Sequence, residues 1–199
     1  MVEKFDARSR LPVRFRDASM DSLDREQFEF LFEYRTNLRD HAKTGNGLII
    51  SGPPGVGKTW AVAALTLEWA KRAARAGNWH FETTPDILDK YRPMGGPSPV
   101  DPFREQPFTV VYETVKWLVV NDLGKEYRGG KMGEQQAAKF GALLRKRSEQ
   151  RLITVVTTNL PISPSAGPTV ESVYGPSVWS LLQECTNGYT VWGGDRRLR

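Results

Sequence analysis

The chain's chemistry concentrates in Gly52-Pro53-Pro54-Gly55-Val56-Gly57-Lys58-Thr59. The spacing fits the pattern G-x-x-x-x-G-K-[ST]. Glycines carry no Cβ, so the backbone can close around a polyphosphate. Its amides then form a nest for anionic oxygens, and the next helix, from Trp60 on, adds its positive end. Lys58 can neutralise β- and γ-phosphates, and Thr59 can offer a hydroxyl to Mg²⁺. Two more positions stand at strand ends. Asp122 closes Trp117-Leu118-Val119-Val120-Asn121-Asp122. A carboxylate there can hold Mg²⁺, directly or through water, or orient an attacking water. Asn159 closes Thr157-Thr158-Asn159, where an amide can bond a γ-phosphate or the hydrolytic water. Each has a plainer reading: a glycine-rich turn before a helix, an Asp capping the turn at Gly124, an Asn forming the turn before Leu160-Pro161. The order of strand, loop and alanine-rich helix favours the phosphate site. Ligands of open α/β sheets also gather at the carboxyl ends of strands, where all three positions fall.

The elements that must hold these residues follow from periodicity. Residues 1–20 are charged and irregular, with Phe5, Leu11, Val13 and Phe15 spaced to strap onto a core. Phe28, Leu31, Phe32, Arg35 and Leu38 recur at three and four and predict a helix over about 21–41. Apolar runs predict strands at 47–51, 79–82, 117–121, 152–157 and 189–192, and helices are expected over 58–76, 84–91, 133–149 and 178–185. Thr84-Pro85 reads as N-cap and first helical position. Residues 108–116 fit either class. The proline- and glycine-rich stretch 92–107 reads as a long surface loop, and 161–175 as another. Continuous apolar strands alternating with helices imply an α/β fold with a parallel sheet covered on both faces.

Composition narrows the class. The 199 residues suffice for one domain with a full core. No apolar run approaches a membrane span, and the charged start does not resemble a secretory signal, so no membrane partner is expected. The single cysteine, Cys185, permits no intrachain disulfide, which fits a reducing, cytoplasmic setting. His41, His80 and one cysteine make no typical zinc site. A net charge of +5 permits a polyanion partner, although phosphate binding and solubility also use positive charge.

Taken together, the motifs resemble the DnaC/IstB group of AAA+ ATPases, the replicative helicase loaders and transposition helper ATPases. The matching pieces run almost end to end: 14–20 before the first helix, Gly52 to Thr59 as Walker A, 81–88 after the second strand and 117–126 as Walker B. Residues 157–160 then match sensor I, and Gly193-Gly194-Asp195-Arg196-Arg197 the terminal element. The resemblance implies a P-loop AAA+ core over 21–199 after a strap at 1–20. It implies a five-stranded parallel sheet with the phosphate-loop strand in the middle and little or no lid. It also implies ATP and Mg²⁺, self-association into a ring or spiral, and single-stranded or duplex DNA, with a replicative helicase or transposase, as partners. Residue by residue, it assigns Lys58 and Thr59 to phosphate and metal, Asp122 to metal or water, Asn159 to sensing the γ-phosphate, and Arg197 to reaching the nucleotide.

The chain departs from the family's pattern in ways that bear on activity. Asn121 stands where the first Walker B acid is usual, and its neutral carbonyl binds Mg²⁺ less strongly. Leu181 in Ser180-Leu181-Leu182 stands where the arginine finger is usual; losing a finger can cost about 10³-fold in rate. Arg145, Arg147 and Arg151 are candidate substitutes. The chain has about a dozen residues before the core motif, and about 40 after sensor I. Lys139, Arg145, Lys146, Arg147 and Arg151 make the helix before sensor I basic, with Lys125, Arg128 and Lys131 just ahead of it. That pattern reads either as phosphate-backbone contact or as a solvated helix face. The leading expectation is an ATP-hydrolysing helicase-loader-like protein acting in DNA replication. The alternatives are a transposition helper and an adaptor that binds ATP with little turnover. A small-molecule kinase is disfavoured, because no arginine-rich lid is present.

Overall fold

A computed structural model describes residues 7–72, 78–91, 96–102, 104–125 and 130–196, with the backbone alone for 130–132. In chain order the elements are α1 (Glu29–Thr36), α2 (Leu38–Thr44), β1 (Gly47–Ser51), α3 (Lys58–Arg72), β2 (Trp79–Thr83) and α4 (Thr84–Lys90). There follow β3 (Val100–Asp101), β4 (Gln106–Pro107), α5 (Phe108–Thr114), β5 (Trp117–Leu123) and α6 (Gly130–Glu149). The chain closes with β6 (Ile153–Thr158), α7 (Val170–Tyr174), α8 (Pro176–Cys185) and β7 (Thr186–Thr190). Five strands form one sheet in the order β2-β5-β6-β1-β7, and every pairing in it is parallel.

Alternation along the strands explains the layers, since successive side chains point to opposite faces. Leu48, Ile50, Val119 and Val155 face α1, α3 and the amino-terminal strap, where Leu11, Phe15, Phe28 and Leu31 are buried. Ile49, Leu118, Val120 and Val156 face α4 to α8, against Ile87, Val111, Phe140, Leu144 and Leu182. Each such side chain contributes about 1.5–3 kcal/mol when fully buried. With apolar residues needed on both faces, the strands read as unbroken apolar runs.

Several expectations are corrected. The phosphate-loop strand β1 is not in the middle; β6 is, and β1 lies beside it, paired on its other side with β7. The first helix, expected from about 21, starts at Glu29 and is broken at Asn37 into α1 and α2. Thr83, not Thr84, caps α4: its hydroxyl accepts from the Asp86 amide. Residues 108–114 resolve as helix, and the loop at 161–175 contains the short α7, opened by a capping box between Thr169 and Ser172. The last strand starts earlier than its aromatic residues suggest, at Thr186. Val13 is exposed rather than part of the strap's apolar seam. The long loop at 92–107 contains the small β3–β4 pair; Phe5, residues 73–77 and residues 92–95 lie outside the described residues. After β6 the chain packs α7 and α8 on α6 and returns directly to the sheet.

Candidate functional site

The site gathers at the carboxyl ends of β1, β5 and β6. Between β1 and α3 the loop turns through positive φ at Gly55 (+82°) and Gly57 (+100°). Such values are costly for residues with a Cβ and turn successive amides toward one point. Lys58 opens α3 and is 5% exposed. Its ammonium donates to the carbonyls of Gly52 (2.7 Å) and Pro53 (2.9 Å) and to Asn159 Oδ1 (2.8 Å). The sensor candidate and the loop lysine are therefore in direct contact.

Thr59 donates its hydroxyl to Asn121 Oδ1 at 3.0 Å, and Thr157 donates to the same oxygen at 2.8 Å. Asn121 is 1% exposed, and its backbone carbonyl accepts from the Thr84 hydroxyl. Strand β5 carries a bulge here: Val120 pairs with Val156 and Leu123 with Thr158, so Asn121 and Asp122 together oppose Thr157. The Asp122 amide bonds the Thr157 hydroxyl at 2.9 Å in place of a ladder carbonyl. Asp122 sits at φ +63°, a left-handed conformation that Asp tolerates better than most residues. In an unbroken strand Asn121 and Asp122 would face opposite sides of the sheet; the bulge brings Asp122 to the same cavity as Lys58 and Thr59. Its carboxylate pairs with Lys125 at 2.6 Å.

Lys58, Thr59, Asp122 and Asn159, but not the buried Asn121 and Thr157, line a cavity of about 440 Å³. Its other walls come from Arg14, Phe15, Ser22 and Leu23 of the strap, from Trp60, and from Arg196. Trp60 Nε1 donates to Ser22 Oγ at 2.8 Å, tying α3 to the strap. The terminal segment folds over the loop: the Arg196 amide donates to Gly55 O at 3.0 Å, and Arg196 bonds Gln27. A Cβ on Gly55 would fall 2.0 Å from the Asp195 carboxylate. Among the described residues four basic side chains (Arg14, Lys58, Lys125 and Arg196) and one acidic one, Asp122, line the space. That balance, with a glycine cradle beneath it, fits a polyphosphate. Thr59 and Asp122 offer oxygens of the kind Mg²⁺ takes, and of the two Asp122 carries charge; Asn121 Oδ1 is buried and already accepts from two hydroxyls. Among the described residues no group of three or more His, Cys, Asp and Glu side chains is placed to hold a metal ion by itself.

The fold is similar to that of known proteins. DnaI matches over 97% of this chain and 100% of its own, with TM-score 0.70 at 19% identity. The DnaC helicase loader matches over 91% and 100%, with TM-score 0.70 at 21% identity. The chain has the AAA+ P-loop fold. The likeness of fold extends to AMPPCP-bound DnaA from Aquifex aeolicus, with TM-score 0.60 and 16% identity over 90% of this chain and 52% of that one. No protein-family profile and no curated protein matches the sequence itself. No described helix is long and apolar enough to cross a membrane.

The basic residues of α6 do not come together. Arg147 is fully buried and donates to Thr154 Oγ1 and to the carbonyls of Tyr112, Val115 and Ile153. It can contact neither DNA nor a neighbour's nucleotide, because its fork ties the end of α5 to β6. Lys139 reaches back to the carbonyl of Leu88. Arg145 and Lys146 are exposed, and Arg145 shares a groove between α6 and the α7–α8 corner with Leu181. Arg151 is exposed at the amino end of β6, the end of the sheet opposite the cavity. Arg128 and Arg197 lie outside the described residues, as does the Lys131 side chain; among the described residues Arg196, one position earlier, lines the cavity. Sequence reasoning missed Thr157, Ser22, Lys125 and Arg196 as site residues. Thr157 lies inside the sensor I match, but its bonds to Asn121 and to the Asp122 amide depend on the bulge.

Proposed function

We propose that the protein is an ATP-binding, ATP-hydrolysing DnaC-like AAA+ protein of DNA replication, assembling on DNA, on a replicative helicase, or on both. The observation that carries this reading is the convergence of Lys58 with Asn159 and of Thr59 with Asn121 at three strand ends. ATP with Mg²⁺ would supply the reacting phosphoryl group and its charge neutralisation. The chain's own residues do the rest. The backbone N–H groups of Gly55 to Thr59 would hold the phosphates, Pro53 and Pro54 having none to give. Thr59, oriented by Asn121, faces the metal, with Asp122 as the charged metal or water ligand. Asn159 orients the terminal phosphate or the attacking water. Phe15, Ser22, Leu23 and Trp60 line the part of the cavity left for the base.

Self-association, DNA contact through Arg145 and Lys146, and a helicase or transposase partner belong to the same proposal. The structural likeness to DnaI, the DnaC helicase loader and DnaA supports it at the level of fold. A second reading, an adaptor gated by ATP with little turnover, is favoured by Asn121, a neutral side chain at a metal-ligand position, and by Leu181. Steady-state ATP hydrolysis, with and without single-stranded DNA, separates them. DNA-stimulated turnover supports the loader reading; tight Mg²⁺-dependent binding with no turnover supports the adaptor; no binding overturns both.

A further inference from the structure

Lys125 falls within the Walker B match, which gives it no role, yet it stands at the cavity mouth. The turn after β5 puts it there. Gly124 takes φ +102°, and a Cβ on it would lie 2.8 Å from the Leu160 side chain, so the turn is held tightly against the end of β6. The Lys125 amide closes the turn on Asp122 O at 3.3 Å, and its ammonium lies 2.6 Å from Asp122 Oδ2. The two partners differ in exposure: the Asp122 side chain is 16% exposed and that of Lys125 58%. The carboxylate is therefore part of the wall, and the cation is at the rim, on a flexible four-carbon stem. Both line the same cavity as Lys58, Thr59 and Asn159.

We propose that Lys125 is a cis-acting ligand for the terminal phosphate of a nucleoside triphosphate, exchanging its Asp122 partner for that phosphate. The inference rests on the nucleotide-binding reading above and goes beyond it in naming the residue that tells a triphosphate from a diphosphate. A half-exposed ion pair is weakly held. A terminal phosphate carries more charge than one carboxylate and offers several oxygens, so it competes well for the ammonium. The exchange makes or breaks no covalent bond. It has two consequences: the terminal phosphate gains a cation from its own subunit, and the Asp122 carboxylate is released toward metal or water when a triphosphate arrives. In the free protein the pair holds that carboxylate in place.

The test is equilibrium binding of a non-hydrolysable ATP analogue and of ADP, each with Mg²⁺, to the full chain and its variants. Lys125→Ala should weaken the triphosphate analogue about tenfold or more and leave ADP within about twofold. Lys125→Arg should keep the preference. Parallel melting curves check that each variant is folded. Equal losses for analogue and ADP in Lys125→Ala, or no loss for either, would overturn the proposal. Wild-type protein that binds neither nucleotide would instead overturn the nucleotide-binding reading itself.

Discussion

Replacing Arg147 with methionine tests the reassignment of that residue from surface contact to interior strut. The side chain is fully buried, and its four acceptors are neutral: one hydroxyl and three backbone carbonyls. Burial lowers its pKa to about 9, so it still carries charge at neutral pH. Tyr112 O lies in the last turn of α5, where helix carbonyls lack intrahelical partners, so the guanidinium acts as that helix's cap. Hydrogen bonds to a charged group are worth about 1.5–3 kcal/mol each, about 6–12 kcal/mol gross for four. Removing the ion from water offsets several kcal/mol of this. Arg147→Met recovers that cost but loses the four bonds, and the difference between about 6–12 kcal/mol and several kcal/mol is a net loss of about 3 kcal/mol at the low end. In a protein of this length the melting temperature should fall by about 6–12 °C. Arg147→Lys should fall between, because a single ammonium cannot span four acceptors in a planar fork. Circular dichroism melting is the assay, with nucleotide and DNA binding measured well below the transition. A melting temperature within about 2 °C of wild type, together with weakened DNA binding, would refute the reasoning and return Arg147 to the surface role.

The other predictions are more direct. Asn121→Asp should strengthen Mg²⁺-dependent nucleotide binding and raise turnover, since the Thr59 hydroxyl would then face a carboxylate; unchanged turnover would point to the missing finger at Leu181. Charge reversal of Arg145 and Lys146 to Glu should weaken DNA binding and reduce its salt slope by about two, whereas equal affinity would make α6 a solvated face. Glu82 sits with His80, Lys90 and Tyr112 beside edge strand β2. Burial pushes its carboxyl up, but bonds from these groups and the His80 charge more than reverse this and hold it at about 2, against 4.5. A depressed carboxylate adds stability above its unfolded pKa and loses it as pH falls from there toward the folded value. Glu82→Gln should therefore flatten the fall in melting temperature between about pH 5 and pH 2; an identical acid limb would count against the cluster.

Much of this site was legible because phosphate binding constrains local sequence. A glycine loop must follow a strand and open a helix, and Gly52 to Thr59 satisfies all of that within eight residues. Asp122 and Asn159 were readable as strand ends, since the apolar runs before them stop abruptly. What was not legible depends on pairing between distant segments. The bulge that turns Asp122 into the cavity is a register shift against β6, invisible in β5 alone. Arg147 looks like its exposed neighbours Arg145 and Lys146 until helical phase puts it beneath β6. The position of β1 beside the central strand follows from β7 adding outside it. Thr83 and Thr84 are equivalent cap candidates by type; they separate only because the Thr84 hydroxyl is taken by Asn121 O.

The central claim is that the cavity over Gly52 to Thr59 binds a nucleoside triphosphate through Lys58. The measurement that tests it most directly is titration with a fluorescent ATP analogue and Mg²⁺, for wild type and Lys58→Ala. The account predicts saturable wild-type binding, displaced by unlabelled ATP, and its loss in a Lys58→Ala variant that melts cooperatively. Equal affinity in the two proteins would contradict it.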